Sequence, residues 1–380
     1  MRPLTVLQLL PALESGGVER STLEIAEALV REGHRALVVS AGGRLLPGLI
    51  ETGAEHIALD IGRKSPMTLR QIAPLRRLIE REGVDLVHAR SRVPAWLAVL
   101  ALRGLPAARR PRLVTTVHGL NSPSRYSAVM TRGERVICVS DTVRGYVLRH
   151  YPRTDPGKLR VVPRGIEPDA FPRAPWPDRQ ARAWAADQHP ELGGEGPLLL
   201  LPGRGTRLKG HADAISLLAD LRRRGTDARL WLPGARAAGR EAYVTELGNL
   251  ARELQVESAL AFTTPTDAIA RAYAASDLVL QLSRKPEAFG RTVIEALSVG
   301  RPVLGWDHGG VGELLRELQP GGAVAPFDSV ALAESAATLL ARSASAGAPE
   351  VPLSIPYTLH AMQRATLSVY AELADPPSRG

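Results

Sequence analysis

Two carboxylates, Glu287 and Glu295, stand eight residues apart in the stretch 283–297, which reads Ser-Arg-Lys-Pro-Glu-Ala-Phe-Gly-Arg-Thr-Val-Ile-Glu-Ala-Leu. The stretch follows an apolar run that reads as a buried strand, and it opens a helix that Gly300 should end. Gly290 lets the loop approach a ligand closely, and the new helix offers unpaired backbone N–H groups with partial positive charge. The backbone from Gly290 through Arg291 to Thr292 is thus an anion site suited to a diphosphate. On one continuous helix the two glutamates would lie ~12 Å apart along the axis and point in different directions. Pro286 and Gly290 break the chain, so Glu287 falls in the loop and Glu295 in the second helical turn. Both can then face one ligand, with the phosphate between them. The spacing fits equally well two solvated glutamates near a helix start, where acidic residues are favoured anyway.

The elements that must hold these residues form a regular alternation. Short apolar runs at 4–10, 36–40, 85–88, 113–117, 136–139 and 159–162 read as strands, with amphipathic stretches such as 19–32 between them. Gly33 stops that helix, and Ser140 is placed to cap the helix after the fifth strand. Five prolines in 163–178 rule out a regular element and read as a linker. The alternation then restarts, with strands at 197–201, 229–232, 260–262, 278–282 and 302–305 and helices at 211–224, 241–254, 266–275 and 292–299. The fold class is therefore α/β: two Rossmann-like, doubly wound parallel-sheet domains facing a cleft, with ligands expected beyond the carboxyl ends of the strands. The expected boundaries are 1–170 for the first domain, 171–196 for linker and lead-in, and 197–355 for the second domain. Residues 342–352 read as a loop, and 356–380 as a C-terminal helix crossing back to the first domain.

Composition narrows the function. A chain of 380 residues with 44% apolar and 23% charged residues is globular and long enough for two domains. The single cysteine, Cys138, sits in an apolar run, fits a reducing compartment and reads as a buried, inert thiol. No stretch approaches the roughly 18 apolar residues that span a bilayer. The opening residues 1–10 resemble a leader only superficially: Gln8 interrupts the apolar core, and a first buried strand is the better reading. The net charge is +9, and the excess is concentrated in 60–153, which holds 18 Lys and Arg against six Asp and Glu. Such a field attracts nucleic acid, an anionic membrane face or an acidic acceptor, or is simply a solvated arginine-rich surface. Nucleic acid is the weakest of these, because no aromatic residues interleave with the basic ones.

Other chemistries lack their residues. The nearest dinucleotide fingerprint, at 203–208, has no third glycine, and there is no P-loop. No two aspartates lie two apart, and the histidines have no metal-ligand spacing, so no metal site is expected. His118 ends the run 113–117 ahead of Gly119. A lone histidine there is more often structural.

The stretch 283–297 resembles the E-x7-E signature of retaining GT-B enzymes, specifically the large glycosyltransferase family 4. The continuation 301–305 (Arg-Pro-Val-Leu-Gly) with 308–313, the loop 201–210, the segment 162–166 and Gly16-Gly17-Val18-Glu19-Arg20 resemble that family too, in order and over nearly the whole chain. The resemblance implies metal-independent transfer from a nucleoside-diphosphate sugar, with a UDP-sugar favoured and no further cofactor. It gives Glu287 the donor-sugar hydroxyls, Glu295 the nucleotide ribose, and Arg204 and Lys209 the diphosphate. Phe289 lies within the same donor-binding loop. His118 matches the histidine that contacts the donor sugar near its reacting centre. Gly16 and Gly17 match a loop that approaches donor phosphate and acceptor, and Thr263, in the turn 262–265, is placed near the base. Gly205 stands where the family commonly has a longer side chain.

The arginine-rich loops of the first half match nothing diagnostic, and they would build the acceptor site. A glycan or glycolipid acceptor, lipopolysaccharide core among them, fits a cytoplasmic enzyme peripheral to the inner face of the cell membrane. A sugar-nucleotide epimerase of the same fold, a non-catalytic nucleotide-sugar binder and a dehydrogenase are the rival readings.

Overall fold

The computed structural model describes residues 2–14 and 16–374. The chain forms two compact units, one of residues 1–164 with 359–380 and one of residues 165–358.

The first unit runs β1 (Thr5–Leu9), α1 (Gly17–Arg31), β2 (Arg35–Ser40), α2 (Leu46–Glu51), β3 (Glu55–Ala58), α3 (Ile72–Arg81), β4 (Leu86–Ala89), α4 (Arg92–Arg103), β5 (Arg112–Val117), β6 (Arg135–Cys138), α5 (Asp141–His150) and β7 (Leu159–Val161). All seven strands pair in parallel in the order β3-β2-β1-β4-β5-β6-β7, with Leu7 opposite both Leu37 and Val87. A parallel sheet is covered on both faces, which is why its strands are nearly continuous apolar runs. Val6, Ile25, Leu29, Val38, Leu86 and Val114 form one core cluster, which the C-terminal helix Leu359–Ala374 joins through Met362, Val369 and Tyr370. Ser140 caps α5 by accepting from Val143 N at 3.1 Å. Cys138 is buried, and desolvation pushes its thiol up to about 12.

Two buried polar residues of this unit tie its sheet to neighbouring helices. Gln8, fully buried, donates to Thr22 O at 3.1 Å and accepts from Arg90 Nε at 2.7 Å. His88 lies between the Tyr370 hydroxyl and Thr116 Oγ1, at 2.6 Å from each, so the C-terminal helix is fixed to the sheet by a polar contact as well as by packing. Burial holds the His88 imidazole well below its ordinary pKa, so it stays neutral.

The second unit runs α6 (Arg179–Gln188), β8 (Leu198–Leu200), α7 (His211–Arg223), β9 (Arg229–Pro233), α8 (Glu241–Glu253), β10 (Leu260–Thr263), α9 (Ile269–Ala275), β11 (Leu278–Gln281), α10 (Arg291–Val299), β12 (Val303–Trp306), α11 (Gly309–Leu318), β13 (Ala323–Val324) and α12 (Ser329–Ala346). Its parallel order is β10-β9-β8-β11-β12-β13. The order reverses between β8 and β11, so the loops after these two strands flank the crevice where ligands of doubly wound sheets bind. Arg301, in the segment 301–305, is wholly buried and serves the fold. Its guanidinium donates to Ala274 O and Pro175 O at 2.7 Å each and lies over the Trp176 ring.

Several boundaries differ from expectation. The first unit ends at 164 rather than 170. The stretch 171–196, expected as linker and lead-in, contains α6, which Asp178 caps by accepting from Ala181 N. Residues 342–346, expected as loop, continue α12 because alanine and serine there contain no breaker before Gly347, which takes the left-handed C-cap. Residues 375–380 of the expected C-terminal helix lie outside the described residues. Among the described residues no helix is long and apolar enough to cross a membrane.

Candidate functional site

The site grows from the two loops at the switch point of the second sheet. The first leaves β8 at Leu201 and returns through a turn of 3-10 helix, Arg207–Lys209, into α7. Gly210 stands between them with φ +76°, and a Cβ there would sit 2.0 Å from Leu282 O. Only glycine allows this approach, and it lays the Lys209 turn against the end of β11. Arg284 N donates to Leu208 O at 2.8 Å and fastens the second loop to the first.

This contact brings Lys209 Nζ to 2.6 Å from Glu287 Oε1. The carboxylate is held from other sides as well: Ser283 Oγ lies against Oε1, and Gln281 Nε2 reaches Oε2 at 3.4 Å. His308 Nε2 lies 2.8 Å from Ser283 O, so this nitrogen carries the proton and donates. Glu287 O accepts from Gly310 N at 2.7 Å. Gly309 and Gly310 are needed because side chains there would strike the backbone of Glu287 and Phe289 at 2.6 and 2.5 Å. The segment 308–310 therefore shapes the loop that presents Glu287.

Directly after this loop α10 begins, with Gly290 in the left-handed N-cap and Arg291 as its first residue. Its first-turn N–H groups and dipole face the same end of the sheet as Lys209. Glu295, one turn into α10, accepts from the Tyr273 hydroxyl at 2.9 Å and pairs with Arg291 Nε at 3.4 Å. Burial, with Glu295 next, raises the Tyr273 phenol well above its ordinary range, so it remains a donor. The structure thus joins Lys209 to Glu287, while Glu295 has its own partners one turn along α10.

Comparison with known proteins reads the two halves in tandem. Residues 15–170 match Glycosyltransferase Family 4, and residues 184–347 match Glycosyl transferases group 1. The chain is a GT4-type glycosyltransferase. Over 343 residues it is 23% identical to N-acetyl-alpha-D-glucosaminyl L-malate synthase of Bacillus anthracis, covering 87% of this chain and 85% of that one. A glycosyltransferase structure from Rickettsia africae superposes with a TM-score of 0.82 at 26% identity, covering 99% of this chain and 100% of the other. HepE of Anabaena, solved with UDP and glucose, shares the fold with a TM-score of 0.77 at 22% identity, over 97% of this chain and 100% of its own. The GT-B architecture of two doubly wound parallel sheets is common to them.

The remaining expected residues of the transferase are less closely joined. Arg204 rides the outer part of the β8 loop, exposed, where Gly203 N donates to Pro233 O. It shares no hydrogen bond or ion pair with Lys209 or Glu287. The Thr263 hydroxyl is turned inward and accepts from Trp231 Nε1 at 3.0 Å, so its side chain serves the sheet and leaves only backbone for a base. Phe289 is buried with its ring edge-on to Tyr357, a packing role that fixes the loop. Thr292 lies in the first turn of α10.

In the first unit Gly16 caps α1 and Gly17 opens it, with nothing within 4 Å of where a Gly17 side chain would project. His118 follows β5, and its Nδ1 is bonded by the Arg164 guanidinium. A guanidinium only donates, so Nδ1 accepts and the proton sits on Nε2. Burial first, then Arg164, holds the imidazole well below its ordinary pKa. Nε2 is buried without a partner among the described residues.

Sequence reasoning missed Ser283, Gln281 and Tyr273, the side chains that orient the two glutamates. Polar residues at the end of the apolar run 278–282 were the available signal. The largest cavity described, about 1110 Å³ and lined by Trp176, Arg182 and Asp277 among others, opens at the opposite ends of β8 and β11 and takes no part in this site.

Proposed function

We propose that this transferase moves a sugar from a nucleoside-diphosphate donor to a hydroxyl of a glycan or glycolipid acceptor, with retention of configuration and without a metal ion. A UDP-sugar is the favoured donor, in keeping with HepE. Lipopolysaccharide core, met at an anionic membrane face, is the favoured acceptor. The observation that carries the reading is the Lys209–Glu287 pair beside the start of α10. It supports the reading because a cation and a helix N-terminus side by side suit a diphosphate, and the adjoining carboxylate suits sugar hydroxyls. Lys209 has three donor hydrogens and Glu287 takes one, so the ammonium can hold a phosphate oxygen without releasing the carboxylate.

In the reaction the bond from the anomeric carbon to the diphosphate oxygen breaks while the acceptor oxygen bonds to that carbon on the same face. The acceptor proton passes to a phosphate oxygen of the departing nucleoside diphosphate. Negative charge grows on the leaving group, and Lys209, Arg204 and the α10 amides stabilise it there. Glu287 holds the sugar through its hydroxyls rather than attacking it.

The test is incubation with UDP-sugars in the presence and absence of an acceptor glycan, with the product anomer read by proton NMR. Retention with stoichiometric UDP release supports the reading. Inversion at the anomeric carbon overturns the stereochemical part, and a changed sugar on intact donor, with no acceptor present, replaces transfer by epimerisation.

A further inference from the structure

The first unit carries a groove none of whose lining residues has a part in the transfer steps described above. It has a volume of about 620 Å³ and is lined by Pro66, Leu69, Val93, Trp96 and Tyr126, between the turn ahead of α3 and the start of α4. The turn is built rather than loose. Ser65 Oγ accepts from Met67 N at 3.2 Å, and Thr68 Oγ1 donates to Arg63 O at 2.9 Å, which buries Thr68. Its neighbours Met67 and Leu69 are thereby turned outward, 56% and 53% exposed. Across the groove the Tyr126 ring is held under the Arg92 guanidinium at 5.4 Å, and Trp96 under that of Arg132 at 5.1 Å.

The rim is cationic throughout. Arg63, Lys64, Arg70, Arg125 and Arg132 are exposed around these apolar side chains. Residues 61–79 and 86–133 contain no Asp or Glu, and the nearby Asp60 is paired to Arg63 at 2.7 Å. Protruding methionine and leucine set among cations in excess over carboxylates match the boundary of an anionic bilayer, where headgroup phosphates meet acyl chains. A soluble anion would need the charges but not the outward apolar pair.

We propose that this face, Met67 and Leu69 with the cations around the groove, docks the enzyme on an anionic phospholipid surface. The inference rests on the membrane-side reading of the acceptor given above, and vesicle binding is measured without donor so that its failure leaves transfer untouched. The experiment sediments the full chain with phosphatidylglycerol-containing and with pure phosphatidylcholine vesicles. Wild type should bind the anionic vesicles only, and about 1 M salt should release most of it. Met67→Asp/Leu69→Asp should weaken binding at least tenfold. Arg63→Gln/Lys64→Gln/Arg70→Gln should weaken it about a hundredfold, at roughly fivefold per cation. All the substituted positions are exposed, and unchanged melting curves verify that the variants fold. The proposal is overturned if wild type ignores anionic vesicles, if it binds neutral ones equally, or if the Met67/Leu69 variant binds as wild type does. It is equally overturned if that double substitution instead dissolves a self-associated form, which would make the face a contact between copies.

Discussion

Lys209 and Glu287, 78 residues apart in sequence, meet at 2.6 Å because Gly210 packs its backbone against Leu282 O. The catalytic electrostatics proposed for this transferase depend on that contact.

Glu287→Gln keeps the shape and a hydrogen bond to Lys209 but removes the charge. Transfer should fall about a hundredfold or more, in line with the loss of one oriented polar group at a reacting centre. Nucleoside-diphosphate affinity should hold or rise, because Lys209 is freed from its carboxylate. Steady-state transfer and calorimetric binding, measured on the same sample, separate the two effects.

Gly210→Ala should damage fold and activity together. The left-handed conformation alone costs roughly 1–2 kcal/mol for a residue with a Cβ, before the collision with Leu282 O is counted. A drop in melting temperature of several degrees is expected. Transfer should be lost in the surviving folded protein as the Lys209 turn is pushed away from Glu287.

Glu295→Ala releases the Tyr273 hydroxyl and Arg291 and removes the proposed ribose partner. Uridine-nucleotide affinity should weaken about tenfold, the equivalent of one good hydrogen bond to a charged group. Turnover at saturating donor should change far less. An effect on turnover with unchanged affinity would place Glu295 in the chemistry instead.

His88 gives a pH dependence of stability. Its folded pKa is depressed by burial, while the unfolded imidazole titrates near the ordinary 6.5. Stability is therefore full above about pH 6.5 and is lost as pH falls below it, because the unfolded state gains the proton that the folded state refuses. The slope for one such group is up to about 1.4 kcal/mol per pH unit. Thermal melts from pH 7.5 to 5 should show it, and His88→Gln, although less stable at pH 7.5, should lower the slope by that one group's share and leave the share of His118.

Much of this was legible beforehand, for reasons particular residues supply. The buried strands β1, β4, β8 and β11 announce themselves as apolar runs, because each is covered on both faces. The strand β3, Glu55–Ala58, is an edge strand half open to solvent and has no such run, and β13 has only two residues. The loop position of Glu287 followed from Pro286 and Gly290, and the helical position of Glu295 from the spacing after them. What pairing Glu287 makes could not follow, since the Lys209 turn reaches it through a backbone approach at Gly210. Gln8 shows the same limit from the other side. It reads as a flaw in an apolar run, and its reason, Arg90 at 2.7 Å, lies 82 residues away.

The most direct measurement of the central claim is calorimetric titration of UDP into wild type and Lys209→Ala. The account predicts binding to wild type and a loss of at least tenfold in the variant, with the fold intact by circular dichroism. Equal affinity in the two proteins would contradict it, because the diphosphate would then rest on something other than Lys209.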